Sequence, residues 1–281
     1  SFYGSMQAIK AANLKAMEIP THPETGMSIE ALELAQDQWP IKAIFVTPTC
    51  NNPMGYTMPE EKKERLYKLA QSYDIAIIED DIYGDISFQF PRPKTIKSFD
   101  NDGRVLLCSS FSKTIAPGMR VGWIAPGRYR DKVTHIKYVS SSMCPVFPQL
   151  AIAKFIRLGG YTKHIRQIRQ HYEKQRDHFL NAIKTYLPSD TRVSFPDGGF
   201  ILWVELNPNI DSMKLLERCR AEGASFAPGP LFSATGKYRN CFRLNFSEQS
   251  IEKREWAIKI LAKVIKDFNT ERKKMNLEET C

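Results

Sequence analysis

Residues 109–122, SSFSKTIAPGMRVG, follow a short apolar run at 105–109 and set two hydroxyls, a lysine and an arginine around a Pro-Gly turn. A loop lysine means little alone, so its neighbours decide the reading. Ser110 and Ser112 can donate hydrogen bonds to a phosphate, and the Arg120 guanidinium can offer the same dianion a bidentate fork. Lys113 then stands among phosphate ligands. Held near an aldehyde and partly stripped of water, its amine can form a Schiff base, because desolvation and nearby positive charge favour the neutral, nucleophilic form.

Working outward, short apolar runs at 41–47, 75–79, 105–109 and 121–125 alternate with longer amphipathic segments, the pattern of parallel strands joined by helical crossovers. Residues 59–73, PEEKKERLYKLAQSY, have Pro near the first turn, acids early, and Leu66, Leu69 and Ala70 on one face, as a crossover helix requires. Further on, 161–186 reads as one long charged helix, followed by elements at 200–206, 212–222, 241–246 and 251–270. A change of domain is expected at 159/160, with 1–159 the larger unit and 160–281 a smaller α+β layer whose charged tail, ERKKMNLEETC, frays.

Two other segments also follow strands. In 77–85, IIEDDIYGD, Asp80 and Tyr83 fall beyond a strand's carboxyl end, where ligands bind in open α/β sheets. A carboxylate there can hold a pyridine nitrogen protonated, and a phenol three residues on can bond a ring hydroxyl; a metal-binding or solvated turn is the alternative. In 47–55, TPTCNNPMG, Pro53 keeps Asn52 out of helical geometry and presents its amide, although such a segment also makes an ordinary turn.

Together these segments resemble the class I/II aminotransferases of pyridoxal phosphate (PLP) fold type I, whose pattern is Asn-Pro-x-Gly, then Asp-x-x-Tyr, then Ser-x-Ser-Lys with Pro-Gly-x-Arg. The spacing is also similar: 28 residues from Asn52 to Asp80, 33 to Lys113 and 7 to Arg120. The resemblance implies an α/β fold with a mostly parallel, here incomplete, large-domain sheet and a smaller α+β C-terminal domain. It also implies that Lys113 forms the internal aldimine with pyridoxal 5'-phosphate and shuttles a proton, that Asp80 pairs with the pyridinium, and that Tyr83 and Asn52 bond the ring oxygen. Ser110, Ser112 and Arg120 hold the phosphate in this pattern. Arg243, in NCFRLNFS, matches the arginine that clamps the substrate α-carboxylate, with a surface salt bridge as its alternative. In SFYGSMQ, Phe2 takes the place of a ring stacked on the cofactor, Tyr3 being the runner-up and ordinary core the alternative.

Residues 160–177, 195–206 and 225–247 further resemble the aminotransferase-like domain of MocR regulators, a GntR subgroup that fuses a winged helix to this fold, and also 2-aminoadipate and kynurenine aminotransferases. An earlier, phosphate-receiving part of the large domain is expected to be missing, so the sequence reads as N-terminally truncated. The resemblance implies amino-group transfer between an α-amino acid and a 2-oxo acid by a homodimer. Its alternative is an effector sensor without turnover, with nucleic acid met only through an absent N-terminal domain.

Bulk properties agree. At 281 residues, 42% hydrophobic and 25% charged, the chain is of globular composition, and a net charge of +9 alternates with acids along its length. Six cysteines without a CxxC pair point to neither a disulfide framework nor zinc. No run reaches the roughly 18 apolar residues of a membrane span, and the cytoplasm is expected. His164, His171 and His178 recur every seven residues, about 10 Å apart on a helix and too distant to share an ion.

Overall fold

The computed structural model describes residues 3–278. Helix α1 (Tyr3–Ala11) and a small hairpin of β1 (Thr21–His22) and β2 (Gly26–Met27) lead to α2 (Ile29–Gln38), which Ser28 caps by accepting from the Ala31 N–H at 3.1 Å. Then come β3 (Ala43–Val46), α3 (Glu60–Ser72), β4 (Ala76–Asp80), β5 (Val105–Ser110) and β6 (Gly122–Ala125). Strands β3, β4 and β5 are parallel neighbours and β6 closes the order antiparallel to β5. The four expected strands are all present, and α3 is the crossover between β3 and β4, burying Leu66, Tyr67 and Ala70 against the sheet. No described helix is long and apolar enough to cross a membrane.

Helices α4 (Arg130–Ser141) and α5 (Val146–Arg157) follow, then α6 (Gly160–Tyr186), the single long helix that the charge pattern announced. The remainder is β7 (Arg192–Val193), β8 (Ile201–Glu205), α7 (Ser212–Ala221), β9 (Ala227–Pro228), β10 (Cys241–Asn245) and α8 (Ile251–Glu278). These strands form a second, antiparallel sheet in the order β7-β8-β10-β9. Its core of Phe179, Leu202, Val204, Leu215, Phe242 and Ile258 is separate from the core under the first sheet. The last helix continues to Glu278 instead of stopping near Thr270, because 271–278, ERKKMNLE, contains no Gly or Pro to end it.

Between the two cores lies a third cluster, Cys50, Tyr83, Ile86 and Ile165, which joins the loops after β3 and β4 to the first half of α6. Gly198 makes that junction possible: a Cβ there would come within 2.4 Å of Cys50 Sγ and 2.5 Å of Ser87 Cα. The glycine pair 198–199 therefore leads tightly into β8 and also packs on the loops of the first sheet.

The loop after β3 is anchored from beneath by Lys63, which is fully buried and donates to Thr49 Oγ1 at 3.1 Å and to the Lys94 carbonyl at 2.7 Å. Burial lowers its pKa from the usual lysine range, against the pull of Glu79 and Asp81. Lys63→Met leaves the buried Thr49 hydroxyl and the part-buried Lys94 carbonyl without their donor, so it is expected to cost about 1–3 kcal/mol, read as a lower urea midpoint at unchanged slope. An unchanged midpoint would remove Lys63 as the anchor.

Candidate active site

The expected site residues that are described, Asn52, Asp80, Tyr83, Ser110, Ser112, Lys113 and Arg120, lie at or beyond strand ends of the first sheet, and Arg243 lies on the second sheet. Asp80 ends β4, side by side with Cys108 of β5, and its Oδ1 accepts the Ile82 N–H at 3.2 Å. Burial raises its pKa above the usual carboxylate range; the Ile82 N–H opposes this and Asp81 adds to it. Tyr83 is 4% exposed, edge-on to the Phe200 ring at 5.5 Å, and burial pushes its phenol up to about 12.

Asn52, 5% exposed, connects the two units. Its side chain lies close enough to the Tyr83 phenol to oppose the effect of burial on that group, and its Oδ1 accepts from Arg243 Nη1 at 3.0 Å. Arg243 is held on β10 between Trp203 of β8 and Ala227 of β9, with its guanidinium 5.2 Å from the Phe232 ring centroid. Its Nε–H is buried without a hydrogen-bond partner, and desolvation works against its charge. Among the described residues Arg243 makes no salt bridge, the alternative weighed for it.

Lys113 lies in the turn after β5, half-buried, with Nζ 5.9 Å from the Phe200 centroid. Desolvation lowers its pKa below the ordinary lysine range, and the charges of Arg243 and Arg120 push the same way. Among the described residues, Lys113, Arg120 and Arg243 have no carboxylate within salt-bridge distance. Three cations without acids and an orphaned arginine N–H, with the buried Thr114 hydroxyl next in the chain to Lys113, make surroundings chemically suited to an anionic ligand.

The phosphate set is less completely gathered. Ser110 Oγ accepts the Ser112 N–H at 3.3 Å, whereas the exposed Arg120, in the left-handed region at φ 49°, turns Nη1 to the Pro117 carbonyl at 3.4 Å. Phe2 lies outside the described residues; Tyr3 opens α1 and is 49% exposed. The three histidines go to separate partners: His164 to the Thr114 carbonyl, His171 to Gln175 and His178 toward Glu255.

Sequence reasoning missed Phe200 and Thr114. The only signal for Phe200 was an aromatic directly after Gly198–Gly199, and Thr114 is marked by nothing beyond its position next to Lys113.

Comparison with known proteins gives a match to the family described as aminotransferase class I and II over residues 1–261. The chain is 50% identical over 244 residues to the HTH-type transcriptional regulator YjiR of Escherichia coli, covering 87% of this chain and 52% of that protein. It is 34% identical over 273 residues to aromatic-amino-acid aminotransferase 1 of Thermococcus litoralis, covering 95% and 65%. A crystal structure of Pyrococcus horikoshii kynurenine aminotransferase, described as a complex with PMP, superposes with a TM-score of 0.89 at 35% identity, over 95% of this chain and 67% of that one. The chain therefore spans about half to two thirds of the length of the curated relatives it matches.

The electrostatics of Lys113 are testable directly. Acetylation of Lys113 followed against pH by peptide mass spectrometry is expected to rise below the ordinary lysine range. In Arg243→Met the rise shifts to higher pH, since losing a positive neighbour favours the ammonium form. A midpoint that ignores Arg243 would show that the two side chains do not share a site.

Proposed function

The chain belongs to the class I and II aminotransferases and has the fold of type I PLP-dependent transferases, and from that premise we propose that it holds pyridoxal 5'-phosphate at Lys113 and moves an amino group between an α-amino acid and a 2-oxo acid. The observation that carries this reading is the line Tyr83–Asn52–Arg243 beside a lysine that lacks an acidic partner.

Lys113 would hold the cofactor through Nζ at its aldehyde carbon with loss of water, and, once the substrate's amine has displaced it, would serve as the base that takes and returns the α-carbon proton. Bound there, PLP supplies an electron sink for the electrons of the α C–H bond. Asp80 keeps the pyridine nitrogen protonated; a cation at that nitrogen would offset the burial that now raises the Asp80 pKa. Tyr83 and Asn52 donate to the ring's phenolic oxygen, while Ser110, Ser112 and Arg120 receive the phosphate. The idle Nε–H of Arg243, together with its outer nitrogens, gives a substrate carboxylate a planar pair of donors. Phe200 closes one side and keeps water from Lys113.

Residues 1–159 form the cofactor-holding unit in this proposal and 160–281 the substrate-clamping one, with a homodimer in the cytoplasm as the working form. The five described cysteines are free thiols, in keeping with a reducing compartment. The 50% identity to a helix-turn-helix regulator favours a second reading, a PLP-dependent effector sensor without turnover.

A single-turnover half-reaction separates the two. An enzyme converts bound PLP to the pyridoxamine form with an amino acid and recovers it with a 2-oxo acid; a sensor binds both without conversion. Lys113→Ala is expected to lose the borohydride-reducible protein adduct and at least about a thousandfold in rate. Arg243→Lys should raise the amino-acid KM about tenfold or more, because an ammonium cannot reproduce the fork. A reducible adduct surviving in Lys113→Ala refutes the lysine assignment.

A further inference from the structure

An open cleft of about 440 Å³ lies on the helix-covered side of the small sheet, between α6, the end of α7, β10 and the start of α8. Its walls are largely apolar, from Phe179, Phe226, Leu244, Trp256 and Leu261, and this volume suits a small organic ligand. It does not belong to the Lys113 site. Side chains alternate across β10, so Arg243 faces Asn52 while Phe242 and Leu244 enter the small-unit core on the opposite face.

One charged group in this apolar wall lacks a full set of partners. Arg254 is 5% exposed and donates Nη1 to the Phe246 carbonyl at 3.3 Å, but its Nε–H is buried without a hydrogen-bond partner. Among the described residues it has no salt bridge. The neighbouring Glu248 has an oxygen engaged by the Ser250 N–H at 3.1 Å. Arg254 and the exposed Lys253 share the first turn of α8 with one acid, Glu252, and Glu248 on the cleft wall draws Arg254 electrostatically. Neither acid makes a salt bridge with Arg254 among the described residues, so its idle donor is open to an added anion.

We propose that this cleft binds a small monocarboxylate with an aromatic or branched apolar body, its carboxylate against Arg254 and its body among Phe226, Leu244 and Trp256. The donor set fits a single negative charge. One buried guanidinium edge and a rim ammonium satisfy two carboxylate oxygens, whereas a phosphate dianion asks for more donors than the apolar wall provides. Gly223, at φ +90°, keeps the mouth beside Trp256 narrow: a Cβ there would lie 3.1 Å from the indole.

Isothermal titration calorimetry with 3-phenylpropionate tests the site. Saturable binding is expected in the unmodified chain, with 3-phenylpropanol at least about tenfold weaker because it carries no charge for Arg254. Arg254→Met should weaken the acid by about tenfold or more. Ser225→Trp changes an exposed lining residue and plugs the mouth without disturbing the core, so it should do the same even if Arg254→Met folds poorly. Arg243→Lys, altered at the other site, should leave this binding within about twofold. Equal binding of acid and alcohol, absence of saturable heat, or a loss that follows Arg243 and spares Ser225→Trp would overturn the proposal, the first meaning an apolar cleft blind to the carboxylate and the second a water-filled one.

Discussion

The hydrogen bond from Arg243 to Asn52 is the constraint on which the site depends. It joins residues 191 positions apart, one on the small antiparallel sheet and the other in a loop of the parallel sheet. Burying a guanidinium is costly unless its donors are met, and here the Asn52 oxygen and the Phe232 face meet only part of the need. The site is therefore held in register by an interaction that is itself incomplete. Such an arrangement is stable as a receptor for an anion and poor as a purely structural brace.

Around that bond, the loops converge because of what lies beneath them. Lys63 holds the loop after β3, and Glu79 fixes the segment after the next strand by accepting the Ile96 and Lys97 N–H groups at 2.7 and 2.9 Å. On the other side, Arg92 pairs with Asp81 and Asp85, while Asp85 also accepts the Tyr161 hydroxyl of α6 at 2.7 Å. These groups make no chemistry of their own. They convert a flexible loop end into a surface on which Asp80 and Tyr83 have one position, as a preorganised site requires.

What was legible in the sequence follows from range. The four strands and the crossover helix announce themselves through local apolar runs and end signals, and Asn52, Asp80, Lys113 and Arg120 through short motifs in fixed order. Helices α4 and α5 were not legible because Ile136, Val139, Phe147 and Leu150 are exposed, so no apolar-in, polar-out period marks a face. The approach of Phe200 to Lys113, and the pairing of Arg243 with Asn52, depend on how two sheets meet, and no window of sequence contains that information. The orientation of Arg120 was likewise beyond reach, since its left-handed backbone is set by the turn it closes.

The net positive charge gains a sharper meaning from the fold. Along the surface, Arg65 pairs with Glu30, Lys68 with Glu64, Arg128 with Asp74 and Lys263 with Glu222, so much of the basic content is locally neutralised. Exposed pairs of this kind contribute little to stability, but they flatten the field far from the site. Among the described residues Lys113, Arg120 and Arg243 have no such partners, and around the half-buried Lys113 and Arg243 burial weakens screening. Positive charge thus stands uncompensated where an anionic cofactor and an anionic substrate would meet. The same uncompensated charge also lowers the pKa of Lys113, so attraction of the ligand and activation of the amine have one physical origin.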